Sequence, residues 1–159
     1  MIGVPQIAPS STNVTFDGPG ANEDFGLAQV TGNARDLYAF RTSPLRNVAL
    51  QPTFFHNGSF ISLELAIHHH LNATASANAY SPAEAGVDAD LRGPMGPLAP
   101  VLENLDPLLQ TPISLTDEEF RWLVAFVRNG LLDQRATPHE LRKLIPRSLP
   151  SGRPLHLFQ

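Results

Sequence analysis

The 159-residue chain contains no cysteine. Disulfides, thiol nucleophiles, iron–sulfur clusters and a C-x-x-C-H haem attachment are therefore excluded as chemistry of these residues. No apolar run approaches the roughly eighteen residues that a membrane-crossing helix requires, so no membrane span is expected. Basic runs and positive stripes are also missing, and the net charge is −4, which argues against nucleic acid as a partner. The opening stretch, MIGVPQIAPSSTN, has neither a charged n-region nor an apolar h-region, so no signal peptide is expected from it. G-x-S-x-G, H-E-x-x-H, Walker A and G-x-G-x-x-G motifs do not occur, and the spacing of Ser, His and Asp singles out no triad.

Proline is abundant instead, with fifteen residues, while hydrophobic content is 42%. Together these fit a loop-rich domain, or part of a larger one, better than a tight bundle. The length suits one domain with a real core. Residues 1–36 read as an irregular lead-in, punctuated by Pro5, Pro9, Gly18, Pro19 and Gly20 and by the Ser/Thr/Asn cluster at 10–13. Pro44 and Pro52 bracket LRNVALQ, which reads as extended. A helix is predicted over 63–71, with Ser62 as N-cap and Glu64 at the positive end of its dipole. Residues 72–114 carry prolines and glycines throughout and read as a long low-order loop, either functional or wrapped over a partner surface, with short helical turns near 82–86 and 98–104. The helix best signalled spans 117–129, where Thr116 and Glu119 form a capping box. Its two apolar stripes, Phe120/Leu123/Val124/Val127 and Trp122/Phe126, predict deep burial, with Trp122 in the core. A last helix is expected over 138–145, with Thr137 as N-cap and Glu140 completing a second box.

Chemistry concentrates between Arg41 and Leu71, which hold four of the six histidines. Leu63, Ala66, Ile67 and His70 recur at helical spacing, which aims His70 inward. His68 and His69 then lie about 100° and 200° from that stripe, at 3.6 residues per turn. An inward imidazole is either a core histidine bonded to a backbone carbonyl or a ligand to a metal or haem iron. Zinc held by the three-histidine run is a weak rival, because neighbouring helical positions point apart. His56 sits in an aromatic turn, FFHNG. Arg41 and Arg46 read as solvated charges that become carboxylate forks beside an anionic cofactor.

The run YAFRTSPLRNVALQPTFFHNGSFISLELAIHHHLN resembles the C-terminal haem domain of bacterial di-haem cytochrome c peroxidases and their MauG-type relatives. The likeness continues upstream through IGVPQIAPS and DFGLAQVTGNARDLYAFRT, and downstream through LDPLLQTPISLTDEEFRWLVAFVRNGLLD. It implies a mainly α, loop-rich cytochrome c-like fold, incomplete here, with residues 1–159 as the distal part of the domain.

The resemblance also implies site residues. The family's Met or Tyr ligand to the electron-transferring haem falls on His70, giving bis-histidine, low-spin iron with a potential below that of Met ligation. Arg41, with Arg46, falls near the haem propionates, and Phe55 and His56 near the haem edge. A calcium ion is implied through the backbone carbonyls of Gln51 and Thr53, although Pro52 stands where the family places its proline elsewhere. The family's C-x-x-C-H motifs are missing, so haem c must come from an upstream chain or domain. A small redox donor protein, hydrogen peroxide as substrate of the whole enzyme and a periplasmic location follow from the same likeness. The alternative is a truncated fragment or haem-binding partner subunit without activity of its own.

Overall fold

The computed structural model describes residues 1–9, 22–146 and 148–154. The Ser/Thr/Asn cluster at 10–13 lies outside them, as do Gly18, Pro19 and Gly20. Among the described residues the chain is mainly helical and loop-rich, without a strand. Their β-type pairing is limited to isolated bridges such as Phe54 with Phe60 and Ala8 with Arg92.

The helices are short, as the density of proline dictates. In chain order they are α1 (Ala28–Thr31), α2 (Leu63–Leu71), α3 (Ala73–Asn78), α4 (Ala99–Glu103), α5 (Asp117–Ala125) and α6 (Pro138–Arg142). The described part of the lead-in, residues 1–9 and 22–36, holds one small helix and a following 3-10 turn. LRNVALQ is not extended. Asn47 takes a left-handed conformation (φ 62°) and starts a 3-10 turn over Val48–Leu50. The Asn47 side chain accepts a 2.6 Å hydrogen bond from the Asp133 backbone N–H, and its own N–H donates to the Leu131 carbonyl. Short polar side chains are among the few that tolerate this backbone, and here the conformation joins two distant segments.

Helix α2 begins as expected: the Ser62 hydroxyl accepts from the Leu65 N–H. Residues 72–114, however, are not low-order. Asn72 breaks α2 and then caps α3 by accepting from Ala75 N–H, and the alanine-rich run that follows is a good helix former. Helix α4 and 3-10 turns at Ala89–Leu91 and Pro107–Leu109 add further order. Gly93 and Gly96 donate to the Ala8 and Gln6 carbonyls, Gln6 donates to the Pro97 carbonyl, and Asp106 donates to Met1, so this segment encloses residues 1–8.

In α5 the capping box forms in full: Thr116 Oγ1 accepts from Glu119 N–H, and Glu119 Oε2 accepts from Thr116 N–H at 2.8 Å. The helix continues into a wider turn over Phe126–Gly130, so the predicted end near 129 holds. The second box does not form. Thr137 turns its hydroxyl back to donate to the Gln134 carbonyl, Glu140 pairs with Lys143, and α6 stops at Arg142.

The core gathers Phe54, Phe60, Leu63, Ala66 and Val127, with Val48, Phe55, Ile67, Tyr80 and Leu123 packed around them. Only one stripe of α5 joins it. Val124 and Val127 are buried, whereas Trp122 is 64% and Phe126 58% exposed. The expectation of a core Trp122 is corrected: nothing among the described residues lies over that stripe. A partly apolar helix can be buried all round only when elements exist on both sides.

Candidate functional site

Helix α2 sends its three consecutive histidines in three directions, as a 100° step per residue requires. His68 stacks on Phe120 of the neighbouring helix, with centroids 4.0 Å apart. His69 is fully buried, and it, rather than His70, is the inward imidazole. His70 is exposed at the helix end. The correction has a physical reason. The buried stripe is Leu63, Ala66, His69 and, across the Asn72 break, Ala73 and Ala77. Residues 1–6 lie over that face, which rotates the interior toward His69 and leaves His70 at its rim.

His69 has both nitrogens engaged. Nε2 lies 2.7 Å from the Ile2 carbonyl oxygen and Nδ1 3.1 Å from Ser76 Oγ. A carbonyl only accepts, so Nε2 carries the proton and Nδ1 accepts from the Ser76 hydroxyl. Burial pushes the imidazole down to about 4, against a smaller raising effect of the Ile2 bond, with the His70 charge also lowering it. His69 is a neutral core histidine of the ordinary kind, with no lone pair left for a metal.

His70 is the opposite case. Its Nδ1 donates to the Ala66 carbonyl of its own helix at 2.8 Å. That bond fixes the Nδ1-H tautomer and leaves the Nε2 lone pair directed away from the helix, with no partner among the described residues. A backbone bond at one ring nitrogen with the other free is the arrangement of a metal-ligating histidine. Phe55 stacks on the ring at 5.3 Å and 24°.

The neighbouring candidates are spread around this point. His56 stacks on Phe40 (3.5 Å, 10°), with Nε2 3.6 Å from Asp24 Oδ2. Burial lowers its pKa, and the Asp24 charge partly opposes this. Asp24 is held in turn, with Oδ1 accepting from Gly26 N–H and its backbone N–H donating to Gln6. Arg41 is exposed and bears no ion pair among the described residues. Arg46 is occupied: it pairs with Asp133 at 3.0 Å, and Arg135 completes the cluster at 2.9 Å. The two guanidinium groups hold the Asp133 carboxyl well below the usual carboxylate range. Gln51 and Thr53 are both exposed, on the turn between the Val48–Leu50 segment and Phe54. Among the described residues there is no group of three or more His, Cys, Asp or Glu side chains that could hold a metal ion. That tells against zinc at the histidine run.

Sequence reasoning missed His69 as the buried member, and it missed the partners Asp24 and Phe40 of His56. The alanine spacing Ala66–Ala73–Ala77 carried a usable signal for His69, since it continues the inward stripe beyond the break. Asp24 and Phe40 carried none, because nothing local pairs them with residue 56. No family model, curated protein or solved structure matches the chain.

Proposed function

We propose that this chain supplies the distal side of the electron-transferring haem in a di-haem cytochrome c peroxidase or MauG-like oxidoreductase, completed by a haem-bearing segment or partner. The observation that carries the reading is His70: an exposed imidazole whose Nδ1 is tied to Ala66 and whose Nε2 is bare. The donor chemistry of His70 would suit a ligand to haem iron, since neutral imidazole with a backbone-bonded far nitrogen is a strong nitrogen ligand. The same residues do not fit covalent attachment, because the chain has no cysteine to form a thioether. When bound, the haem supplies the redox-active iron.

The chain's own residues then have limited tasks. His70 would offer its Nε2 lone pair to the iron, with Nδ1–H held on the Ala66 carbonyl. Arg41, exposed and without an ion pair among the described residues, is available to an anionic group such as a propionate. Arg46 would first have to leave Asp133, so it is the weaker candidate. Calcium at Gln51 and Thr53 would rest on carbonyl oxygens with no carboxylate cluster among the described residues to add charge, which predicts weak binding. The exposed Trp122/Phe126 stripe supports a chain that is completed elsewhere, since large aromatic side chains are seldom left in water without cause. Hydrogen peroxide, a small redox donor protein and a periplasmic site belong to the whole enzyme in this reading.

The test is spectroscopic. Ferric protoporphyrin IX titrated into the purified chain with one equivalent of imidazole should give a saturable low-spin Soret shift that His70→Ala removes. An unchanged shift in the variant refutes the ligand role.

A further inference from the structure

We propose that Phe55 is the positioning residue for the His70 imidazole, an inference that takes its functional meaning, though not its geometry, from the ligand reading. The starting observation is backbone strain. Phe55 has φ +66°, in the left-handed region that a bulky aromatic residue rarely adopts. Such outliers persist only where the surroundings over-determine them, and they gather at functional sites.

The surroundings here do so. Phe54 donates to the Phe60 carbonyl at 2.8 Å, closing the turn from below. Within the turn Asn57 Oδ1 accepts from Ser59 N–H at 3.1 Å, while Asn57 Nδ2 donates to the Pro5 carbonyl at 2.8 Å. Gly58, at φ +72°, supplies the second left-handed residue the loop needs. Phe55 is thus held between fixed points, and its left-handed backbone directs the ring onto α2.

The ring there has one tight arrangement. It meets Phe60 edge-on at 5.2 Å and His69 edge-on at 5.1 Å, both anchored in the interior. Its remaining face is offered to His70 in a stacked geometry (5.3 Å, 24°). An exposed histidine near a helix end ordinarily samples several rotamers and both tautomers. His70 is restrained twice instead: by Ala66 at Nδ1 and by Phe55 across the ring plane. The two restraints together fix where the Nε2 lone pair points and the azimuth of the ring about that direction. Core packing is in this way transmitted to an exposed ligand atom through a single strained residue.

The experiment uses the chain alone. Long-range proton–nitrogen NMR of the histidine rings reports the tautomer of His70, and thermal unfolding reports the fold. Wild type is expected to show His70 as the Nδ1-H tautomer. Phe55→Tyr, which keeps the ring, should preserve it. Phe55→Leu should lower the Nδ1-H to Nε2-H ratio by about two- to tenfold, the bias an aromatic pair of this kind exerts. If Phe55→Leu fails to fold, the wild-type spectrum still decides, through the ring-current shift of the His70 protons by Phe55. Averaged tautomers in wild type, or an unchanged ratio in a folded Phe55→Leu, overturn the proposal. The ligand reading is judged separately, by the haem spectrum of His70→Ala. A tautomer result with no haem effect would leave Phe55 as positioning residue and remove the iron.

Discussion

The rings of His69 and His70 stand at 89° to each other with centroids 6.3 Å apart, although the residues are neighbours on one helix. One is sealed and doubly bonded; the other is open with a free nitrogen. Replacing them should have opposite consequences. His69→Ala leaves a cavity and orphans the Ile2 carbonyl and the Ser76 hydroxyl, at a cost of about 2–4 kcal/mol. Hydrogen exchange should then accelerate first in residues 1–6, which His69 pins to α2. His70→Ala, at an exposed position, should change stability by no more than about 0.5–1 kcal/mol while removing haem binding. Denaturant unfolding of the two variants checks the contrast.

Burial of His69 also predicts how stability depends on pH. The imidazole titrates near 6.5 when unfolded and is pushed down to about 4 in the folded chain. Between those values the unfolded chain holds the extra proton and the folded chain does not. Stability is therefore complete above pH 6.5 and declines as pH falls toward 4, by about 3 kcal/mol in all and about 2 kcal/mol by pH 5. His56, also lowered by burial, acts with the same sign. Urea midpoints at pH 7.5 and 5 measure the slope, and His69→Gln should flatten it. A midpoint equal at both values would show that His69 is not buried as a neutral ring.

What was legible beforehand divides along local and non-local lines. Ser62 and Thr116 announced their helices because a cap is written within four residues of chain. The inward histidine was misplaced by one position, because its environment is made by Ile2 and Ser76, and the first of these is remote in sequence. The same holds for Trp122. Its amphipathic pattern has two stripes, and only the presence or absence of a second packing element decides whether both are covered. The 3-10 turn at Val48–Leu50 depends on a left-handed Asn47 held by the backbone of Asp133, far along the chain. Around the candidate site, the Arg46–Asp133 and His56–Asp24 pairs join residues far apart in the chain and could be seen only in three dimensions.

The two threonine caps separate a motif from its realisation. Thr116 and Glu119 exchange both bonds of a capping box, so Thr116→Ala should cost about 1 kcal/mol and reduce helical circular dichroism. Thr137 sits before a matching Glu140 yet donates to Gln134 instead. Thr137→Ala should stay within about 0.5 kcal/mol of wild type, as expected where the hydroxyl makes no cap bond to the helix.

Asn57 is held through both ends of its amide, with Nδ2 on the Pro5 carbonyl and Oδ1 on Ser59 N–H. Asn57→Asp keeps the acceptor and loses the donor, setting a carboxylate oxygen against a carbonyl. The expected loss is about 1–3 kcal/mol. Because Asn57 precedes Gly58, ageing of the unfolded chain should convert Asn57 to a mixture of aspartate and isoaspartate by deamidation, and the folded chain should resist it. Comparing thermal midpoints of Asn57→Asp and wild type tests the energetic part, and mass spectrometry after incubation with and without urea tests the protection.

Trp122 is the chain's single tryptophan, which makes it a direct reporter of whether α5 is completed by another element. At 64% exposure its indole is wet, so the chain alone should emit at long wavelength and be readily quenched by iodide. Covering the Trp122/Phe126 stripe with a haem-bearing segment would remove water from the indole. Emission should then move to shorter wavelength or be lost by energy transfer to the haem, and iodide access should fall in parallel. Phe126→Ser, one turn along the same stripe, should weaken that docking while leaving the isolated chain close to wild type in stability. Unaltered emission and quenching on adding the haem-bearing segment, under conditions where His70 binds iron, would show that the exposed stripe of α5 is not the face that is covered.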